Sequence, residues 1–115
     1  MTKLLPSSTQ IDDDEFEWDE AKNVTSHAKH GVWFERARLA FSDTCAIGTY
    51  DDRDVYGEDR FTLTGMADGH LLFVVYVERI VDGGGGSRDR IRIISARRTT
   101  KYEQNDYFQQ NSQGM

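Results

Sequence analysis

The sequence has one cysteine and no long apolar run, and each shortage excludes a class of protein. A lone Cys45 excludes a disulfide framework and a thiolate metal cluster, as is typical of a reducing compartment. The longest apolar run, Leu71 to Val77, is far too short to span a bilayer, and nothing near Met1 resembles the apolar core of a signal peptide. We therefore expect a cytoplasmic protein that does not contact a membrane.

The composition indicates one folded domain with an acidic leader. The chain has 115 residues, of which 37% are hydrophobic and 30% charged, values that suit a single globular domain. Residues 1–20 carry seven acids and one lysine, so the whole formal net charge of -6 belongs to this end. We predict a flexible leader over residues 1–15, one domain over 16–110 and a disordered tail over 111–115.

Three segments have helical signals. Asp19 to Lys29 begins with a residue that favours N-caps and is followed by His30-Gly31, a typical stop. Trp33 to Phe41 has apolar residues at helical spacing, and Thr99 to Gln110 begins with capping-box spacing. The predicted buried face of the first helix carries Ala21, Val24 or Thr25, and Ala28.

The remaining segments either alternate polar and apolar residues or are apolar throughout, as β-strands do. Arg60, Thr62 and Thr64 point one way in this pattern while the apolar residues between them point the other way. The turn Asp68-Gly69 predicts a hairpin, and four consecutive glycines within Val81 to Ser87 predict a mobile loop. The predicted strands are Cys45 to Tyr50, Arg60 to Thr64, Leu71 to Arg79, which should be central, and Arg90 to Ser95. The fold class is therefore α+β, with a four-stranded, mainly antiparallel sheet, two N-terminal helices and one C-terminal helix.

One basic segment stands out in this acidic chain. Arg88 to Lys101 holds five arginines and one lysine against one aspartate, which suits an anionic partner such as phosphate. Arg97 and Arg98 follow a strand and precede a helix, where backbone N–H groups also favour an anion. Lys101 and Tyr102, in the first helical turn, add a cation and a stacking surface for a base.

Two interpretations of the polar strand positions remain open at this stage. Arg60, Tyr76, Glu78 and Arg92 could meet on one face, where guanidinium groups would bind phosphate and a carboxylate would move a proton. Alternatively, Arg60 and Glu78 form a cross-strand ion pair on a solvated face and catalyse nothing. His27 and His30 have no third ligand at suitable spacing, so we predict no metal site.

The ordered set of short segments along the chain resembles the BrnT family. The resemblance covers about Phe16 to Tyr107, and no single segment decides it. The segments are Phe16 to Asn23, Lys29 to Val32, Phe34 to Ala37, Gly57 to Phe61, Glu78-Arg79, and Ile91 to Arg98 with Lys101 and Glu103.

That resemblance implies a metal-independent, cofactor-free ribonuclease toxin of a bacterial type II toxin-antitoxin pair, with a RelE-like fold. Its partners would be RNA and a BrnA-type ribbon-helix-helix antitoxin, in a heterotetramer of two toxins and two antitoxins that contacts operator DNA only through the antitoxin. Arg60 and Arg97 match basic positions of the proposed RNA-cleaving face. The expected proton-transfer residues are Glu58, Glu78 or His30, and the expected RNA-binding residues are Arg92, Arg98, Lys101 and Tyr102. The alternative is a non-catalytic module that binds the antitoxin and co-represses the operon.

Overall fold

The fold is a mixed sheet with helices packed against it. The computed structural model describes residues 15–51, 59–83 and 86–112, and within them the sheet has five strands in the order β1-β5-β4-β3-β2. Along the chain the elements are β1 (Phe16–Glu17), α1 (Glu20–His30), α2 (Phe34–Ala37), a 3₁₀ helix (Arg38–Ser42), β2 (Ile47–Asp51), β3 (Arg60–Ala67), β4 (His70–Gly83), β5 (Gly86–Arg98) and α3 (Lys101–Ser112). The α+β class is confirmed, whereas the predicted count of four strands is wrong. The second N-terminal helix, predicted over Trp33 to Phe41, is instead the short α2 followed by the 3₁₀ helix.

The fifth strand is β1, which the sequence did not predict. Phe16 pairs with Ile91 and Glu17 with Arg92, and this is the parallel pair of the sheet among the described residues. Two residues are too few to show a strand period, so only the pairing reveals the element. Phe16 is buried and packs edge-on against Phe41. The predicted leader, apart from Glu15, lies outside the described residues.

The hairpins around β4 follow the predicted turns. Asp68 has a φ of 54° and Gly69 a φ of 87°, the left-handed pair that a two-residue hairpin turn requires. β4 lies in the middle of the sheet, as its apolar sequence predicts. The loop predicted for Val81 to Ser87 is too long, because β4 and β5 stay paired as far as Gly83 and Gly86. Residues 84 and 85 lie outside the described residues.

The core lies between one face of the sheet and the α1, α2 and 3₁₀ layer. Phe34 is fully buried and meets the Trp18 ring edge-on. From the sheet, Leu72, Val74 and Ile93 point into the same layer. The buried cluster comprises Phe16, Val32, Phe34, Ala37, Ala40, Ala67, Leu72, Val74, Ile93 and Ala96.

The ends of α1 agree with the prediction, but its buried face does not. Asp19 accepts a hydrogen bond from the Ala21 N–H at 2.8 Å, and Gly31 ends the helix with a φ of 70°. The buried residues are the polar Asn23 and Ser26, while the face predicted to be buried is exposed, with Val24 at 52%. The predicted face of α1 is therefore wrong.

Asn23 and Ser26 are buried because they satisfy backbone groups. The Phe34 N–H donates to Asn23 Oδ1 at 2.7 Å. The Ser26 hydroxyl lies 2.7 Å from the Val32 carbonyl oxygen and 3.2 Å from that of Ala96. A buried backbone group without a partner costs about 1–3 kcal/mol, so these two side chains fix α1 to α2 and β5.

α3 begins with the predicted capping box and crosses towards β2. The Thr100 N–H donates to Glu103 Oε1 at 2.9 Å, and the Glu103 N–H donates to Thr100 Oγ1 at 3.2 Å. The Tyr107 hydroxyl donates to Asp43 at 2.6 Å, just before β2. α3 ends at Ser112, two residues beyond the predicted end. No helix in the described ranges combines the length and apolar character needed to cross a bilayer.

Candidate functional site

The sheet face opposite the core cluster carries most of the predicted cations, and we call it the arginine face. Side chains of paired residues point to the same side of a sheet, and they alternate along each strand. The pairs Thr64–Phe73–Arg97 and Thr62–Val75–Ser95 therefore define this face. Its members are Arg60, Thr62 and Thr64 on β3, Phe73, Val75, Val77 and Arg79 on β4, and Arg90, Arg92, Ser95 and Arg97 on β5.

A β-bulge brings Arg92 and Arg97 to the same face. Val75 pairs with Ser95, but the next residue, Tyr76, pairs with Ile93, so Ile94 is an extra residue in β5. In a regular strand, residues five apart point to opposite faces. With the extra residue, Arg92 and Arg97 point to the same face, because a bulge changes the direction of the side chains that follow it.

A groove of about 510 Å³ runs across the arginine face. Asp51 lies at one end of it with its register partner Arg60 beside it, and Arg97 lies at the other end. Thr64 is the β3 residue in line with Arg97, and Arg60 lies four residues before it. Arg60 and Arg97 are therefore offset by about 13 Å along the strands and by two strand spacings across them. They bracket the groove instead of lying side by side. The groove is lined by Thr49, Tyr50, Asp51, Thr62, Phe73, Val75, Ser95 and Arg97.

Arg97 is held in a fixed orientation by Glu103. Its Nη1 and Nη2 donate to the two Glu103 oxygens at 2.9 Å each, and Nη1 also donates to the Arg98 carbonyl oxygen at 3.0 Å. The guanidinium stacks on the Phe73 ring at 4.2 Å from its centroid. These bonds use three of its five N–H donors, so the outer edge can still bind an anion. The hydrogen bond from Arg97 is the main reason that the pKa of Glu103 lies below its usual value.

A second group of cations, which we call the Glu17 cluster, lies at the β1 end of the arginine face. Glu17 accepts hydrogen bonds from Arg79 at 2.7 Å, from Arg90 at 3.1 Å and from Arg92 at 3.3 Å. Burial raises the pKa of Glu17, but the hydrogen bond from Arg92 and the charges of Arg79 and Arg90 outweigh it, so the pKa is lowered overall. Glu17 is therefore a charged anchor for these side chains.

The structure does not place Glu78, Tyr76 or Arg98 on the arginine face. Glu78 pairs with Ile91 and lies on the same face as Tyr76. This is the face opposite to that of Arg60, so the cross-strand pair of Arg60 and Glu78 is excluded. The pKa of Tyr76 is raised by burial and then by the Glu78 charge. Arg98 pairs with Leu72 and also points to the core side.

The other predicted residues have the following places. His30 ends α1 and lines a hollow of about 320 Å³ between α1 and β5, away from the groove. Lys101 and Tyr102 are exposed in the first turn of α3, close in sequence to Glu103. Glu58 lies outside the described residues. The structure thus brings Arg60, Arg92 and Arg97 to one face and does not bring Glu78, His30 or Arg98 to it.

Sequence reasoning missed several groove residues. Asp51 lies just beyond the predicted strand Cys45 to Tyr50, and Ser95 was only the predicted end of a strand. Glu103 was recognised as a capping residue, although it also orients Arg97; an Arg six residues before a capping-box Glu was the available signal. Within the described ranges, no three His, Cys, Asp or Glu side chains are grouped so that they could hold a metal ion.

Comparison with known families decides the relationship of this chain. A family model described as the ribonuclease toxin BrnT of type II toxin-antitoxin systems matches residues 18–103. The chain belongs to the BrnT family. No curated protein matches the sequence at a significant level.

The range matched to BrnT contains the groove and ends at the residue that orients Arg97. It includes Arg60, Arg92, Arg97 and Glu103, and it leaves out Glu17. The family is a group of ribonuclease toxins of type II toxin-antitoxin systems, so RNA is the polyanion that this family acts on. The Glu17 cluster adds an anchor from outside the matched range.

The pairing of Arg97 with Glu103 should make the stability of this BrnT chain depend on acid pH. A lowered pKa means that the folded state binds fewer protons than the unfolded state at moderately acid pH, so the stabilisation is present above a pH of about 4.5 and is lost as pH falls through the folded pKa. Glu103→Gln should therefore lower the melting temperature at pH 7, and the difference from the parent should shrink as pH falls below about 4.5. Thermal unfolding at several pH values measures this, and a difference that stays constant with pH would contradict it.

Proposed function

We propose that this chain is a metal-independent endoribonuclease that cleaves RNA in the cytoplasm and so inhibits translation and growth. The observation that carries the proposal is that Arg60, Arg92 and Arg97 share one sheet face beside a groove, in a chain of a ribonuclease toxin family. The mainly antiparallel sheet with helices on it is consistent with a RelE-like fold.

The reaction we propose is attack of an RNA 2′-hydroxyl on the adjacent phosphate. The 2′-oxygen loses its proton to a base and forms a bond to phosphorus, the bond from phosphorus to the 5′-oxygen breaks, and that oxygen takes up a proton. The products are a 2′,3′-cyclic phosphate and a 5′-hydroxyl. Arg60 and Arg97, at the two ends of the groove, offset the charge that develops on the phosphate oxygens.

The proton-transfer group is best sought among carboxylates near Arg60. Glu58 lies two residues before Arg60 in sequence and keeps its expected role in proton transfer. Asp51 lines the groove beside Arg60 and is a second candidate. Glu78 and His30 are less suitable because they lie away from the groove.

The RNA strand would continue from the groove over basic and aromatic groups. Arg92 lies on the same face, and Lys101 and Tyr102 are exposed at the start of α3, where a cation and an aromatic ring would hold a phosphate and stack on a base. Arg98 points to the core side, so a contact with the same RNA strand would have to pass around the sheet edge.

The proposed partner is a BrnA-type ribbon-helix-helix antitoxin in a heterotetramer of two toxins and two antitoxins. Operator DNA would be contacted through the antitoxin. Acidic residues of the antitoxin that cover Arg92 and Arg97 would block RNA by occupying the same donors.

The test is RNA cleavage by the purified, antitoxin-free chain with a chelator present. We expect fragments that end in 2′,3′-cyclic phosphate, no cleavage when the 2′-hydroxyls are methylated, and a loss of about 10²–10³-fold in rate in Arg60→Ala. Arg38→Ala, in the helix layer, is the control and should cleave as the parent does. A parent that cleaves no RNA and does not slow growth when expressed would overturn the proposal.

One observation favours a second candidate, the non-catalytic partner-binding module. Glu103 already occupies two donors of Arg97, as expected for a structural arginine. This candidate predicts that growth arrest is absent and that antitoxin binding alone depends on Arg97. Growth arrest that is lost in Arg97→Ala while antitoxin binding persists would exclude it.

A further inference from the structure

The Glu17 cluster has the composition of an anion site. Of the described side chains, three arginines contact one carboxylate, so the cluster keeps a net charge of about +2, counted as three cations minus one anion. Arg79 and Arg92 remain 48% and 36% exposed, which leaves part of each guanidinium open to solvent. Such planar forks bind phosphate oxygens well.

Glu17 fixes the three side chains. β1 lies at the sheet edge beside β5, and its pairing places Glu17 opposite Arg92 on the arginine face. The Glu17 carboxylate is only 22% exposed, and the Arg90 Nη2 also donates to the Phe16 carbonyl oxygen at 2.8 Å. Arginines held in this way lose less conformational entropy when a ligand binds. Glu17 is a positioning residue of this cluster.

The cluster is close to the groove and on the same face. Arg92 on β5 pairs with Val77 on the neighbouring strand β4. The next strand, β3, begins with Arg60 beside Val77. Arg60 and Arg92 are therefore about two strand spacings apart, roughly 10 Å. A strand of RNA that lies in the groove and passes Arg60 reaches the Glu17 cluster next.

We propose that Arg79, Arg90 and Arg92, oriented by Glu17, bind a backbone phosphate of single-stranded RNA outside the scissile position. This inference rests on the proposed function, and it assigns where one end of the substrate strand leaves the groove: towards β1, at the end opposite α3. The site is a second, sequence-independent contact that increases affinity for RNA longer than the groove.

A protein held mainly by apolar contacts fits this surface less well than a phosphate. Stable protein interfaces usually contain exposed aromatic or large apolar anchors. Among the described residues, the large exposed hydrophobic side chains are Val24, Trp33, Tyr50, Ile80, Tyr102 and Phe108. Ile80 is the nearest of these in sequence, and it alternates with Arg79 and so points to the other face.

The experiment measures binding of a short single-stranded RNA with 2′-O-methyl sugars, by fluorescence anisotropy over a range of salt concentrations. The methylated probe is not cleaved, so binding is measured apart from catalysis. The slope of log K against log salt is negative, and each lost phosphate contact reduces its magnitude by about 0.7 for single strands. We expect Arg79→Ala to weaken binding and to reduce the magnitude of the slope by about that amount, and Arg79→Glu to weaken binding further.

Arg36→Ala is the matched control. Arg36 is 45% exposed and pairs with Asp68, so it resembles Arg79 in exposure and in having a carboxylate partner, but it belongs to α2 on the core side. Its removal takes away one equal charge and should leave the slope unchanged. Circular dichroism of each variant establishes that it is folded. Arg79→Ala should remain folded because Arg90 and Arg92 still contact Glu17.

The outcomes separate this inference from the proposed function. If the parent cleaves RNA but Arg79→Ala binds the probe with the parental slope, the inference is overturned and the function stands. If the parent binds the probe with an Arg79-dependent slope yet cleaves nothing, the phosphate site stands and the nuclease proposal fails. If Arg79→Ala weakens only antitoxin binding, the cluster is a protein contact and the inference is overturned.

Discussion

Arg97→Ala is expected to lower the rate of RNA cleavage at saturating substrate by about 10²–10³-fold, the usual loss when one donor to a developing oxyanion is removed. The physical reason is the position of Arg97 at one end of the groove, with its guanidinium fixed between Glu103 and the Phe73 ring. Arg97→Lys keeps the charge but cannot make the bidentate pair, so it should lie between the parent and the alanine variant. Single-turnover cleavage of a labelled RNA measures the chemical step.

The neighbouring arginine gives a strict control for that prediction. Arg98 has the same side chain one residue away, but its partner Leu72 places it on the core side of the sheet. Arg98→Ala should therefore change the cleavage rate far less than Arg97→Ala. Equal losses in the two variants would mean that net charge, and not the geometry of the arginine face, controls catalysis. Melting temperatures of both variants separate a catalytic loss from unfolding.

Phe34→Ala is expected to lower the free energy of unfolding by about 3–5 kcal/mol, because it removes a fully buried ring from the centre of the helix layer. Domains of this kind are stable by only about 5–15 kcal/mol, so much of the protein would be unfolded or degraded and any growth arrest would be lost with it. Urea unfolding followed by tryptophan fluorescence measures the change.

Val24→Ala is the control for the helix layer. Val24 is 52% exposed on α1, and exposed substitutions usually change stability by less than about 0.5 kcal/mol. A loss in Val24→Ala as large as that in Phe34→Ala would show that α1 packs with its apolar side against the sheet, contrary to the burial of Asn23 and Ser26. The pair of variants thus tests the orientation of α1.

Local signals in the sequence predicted the helix ends and the turns well. Asp19, Gly31 and the Thr100–Glu103 box act where they were expected to act, because capping depends on hydrogen bonds between residues close in sequence. The left-handed pair Asp68-Gly69 is local in the same sense. The face of α1 could not be predicted in this way. Asn23 and Ser26 are buried because they bond to backbone groups of Phe34 and Ala96, which lie 11 and 70 residues away along the chain and outside α1.

For the candidate site, too, local patterns in the sequence were informative, whereas the pairing of the strands was not predictable. The alternation in β3 was enough to place Arg60 with Thr62 and Thr64 on one face, and the ordered resemblance to BrnT was enough to indicate the family, which the family model confirms. The faces of β4 and β5 remained open, since a strand pattern does not contain its register. Glu78 was a reasonable candidate until the pairing placed it on the other side of the sheet from Arg60.

By itself, the sequence determined the α+β class, the caps, the central strand and a concentration of cations between Arg88 and Lys101, because these depend on local conformation and composition. Only the tertiary structure decided which cations act together. The bulge at Ile94 adds one residue to β5, and this reverses the alternation so that Arg92 and Arg97 share a face while Arg98 leaves it. A strand of period two cannot reveal such a shift before its partner is known.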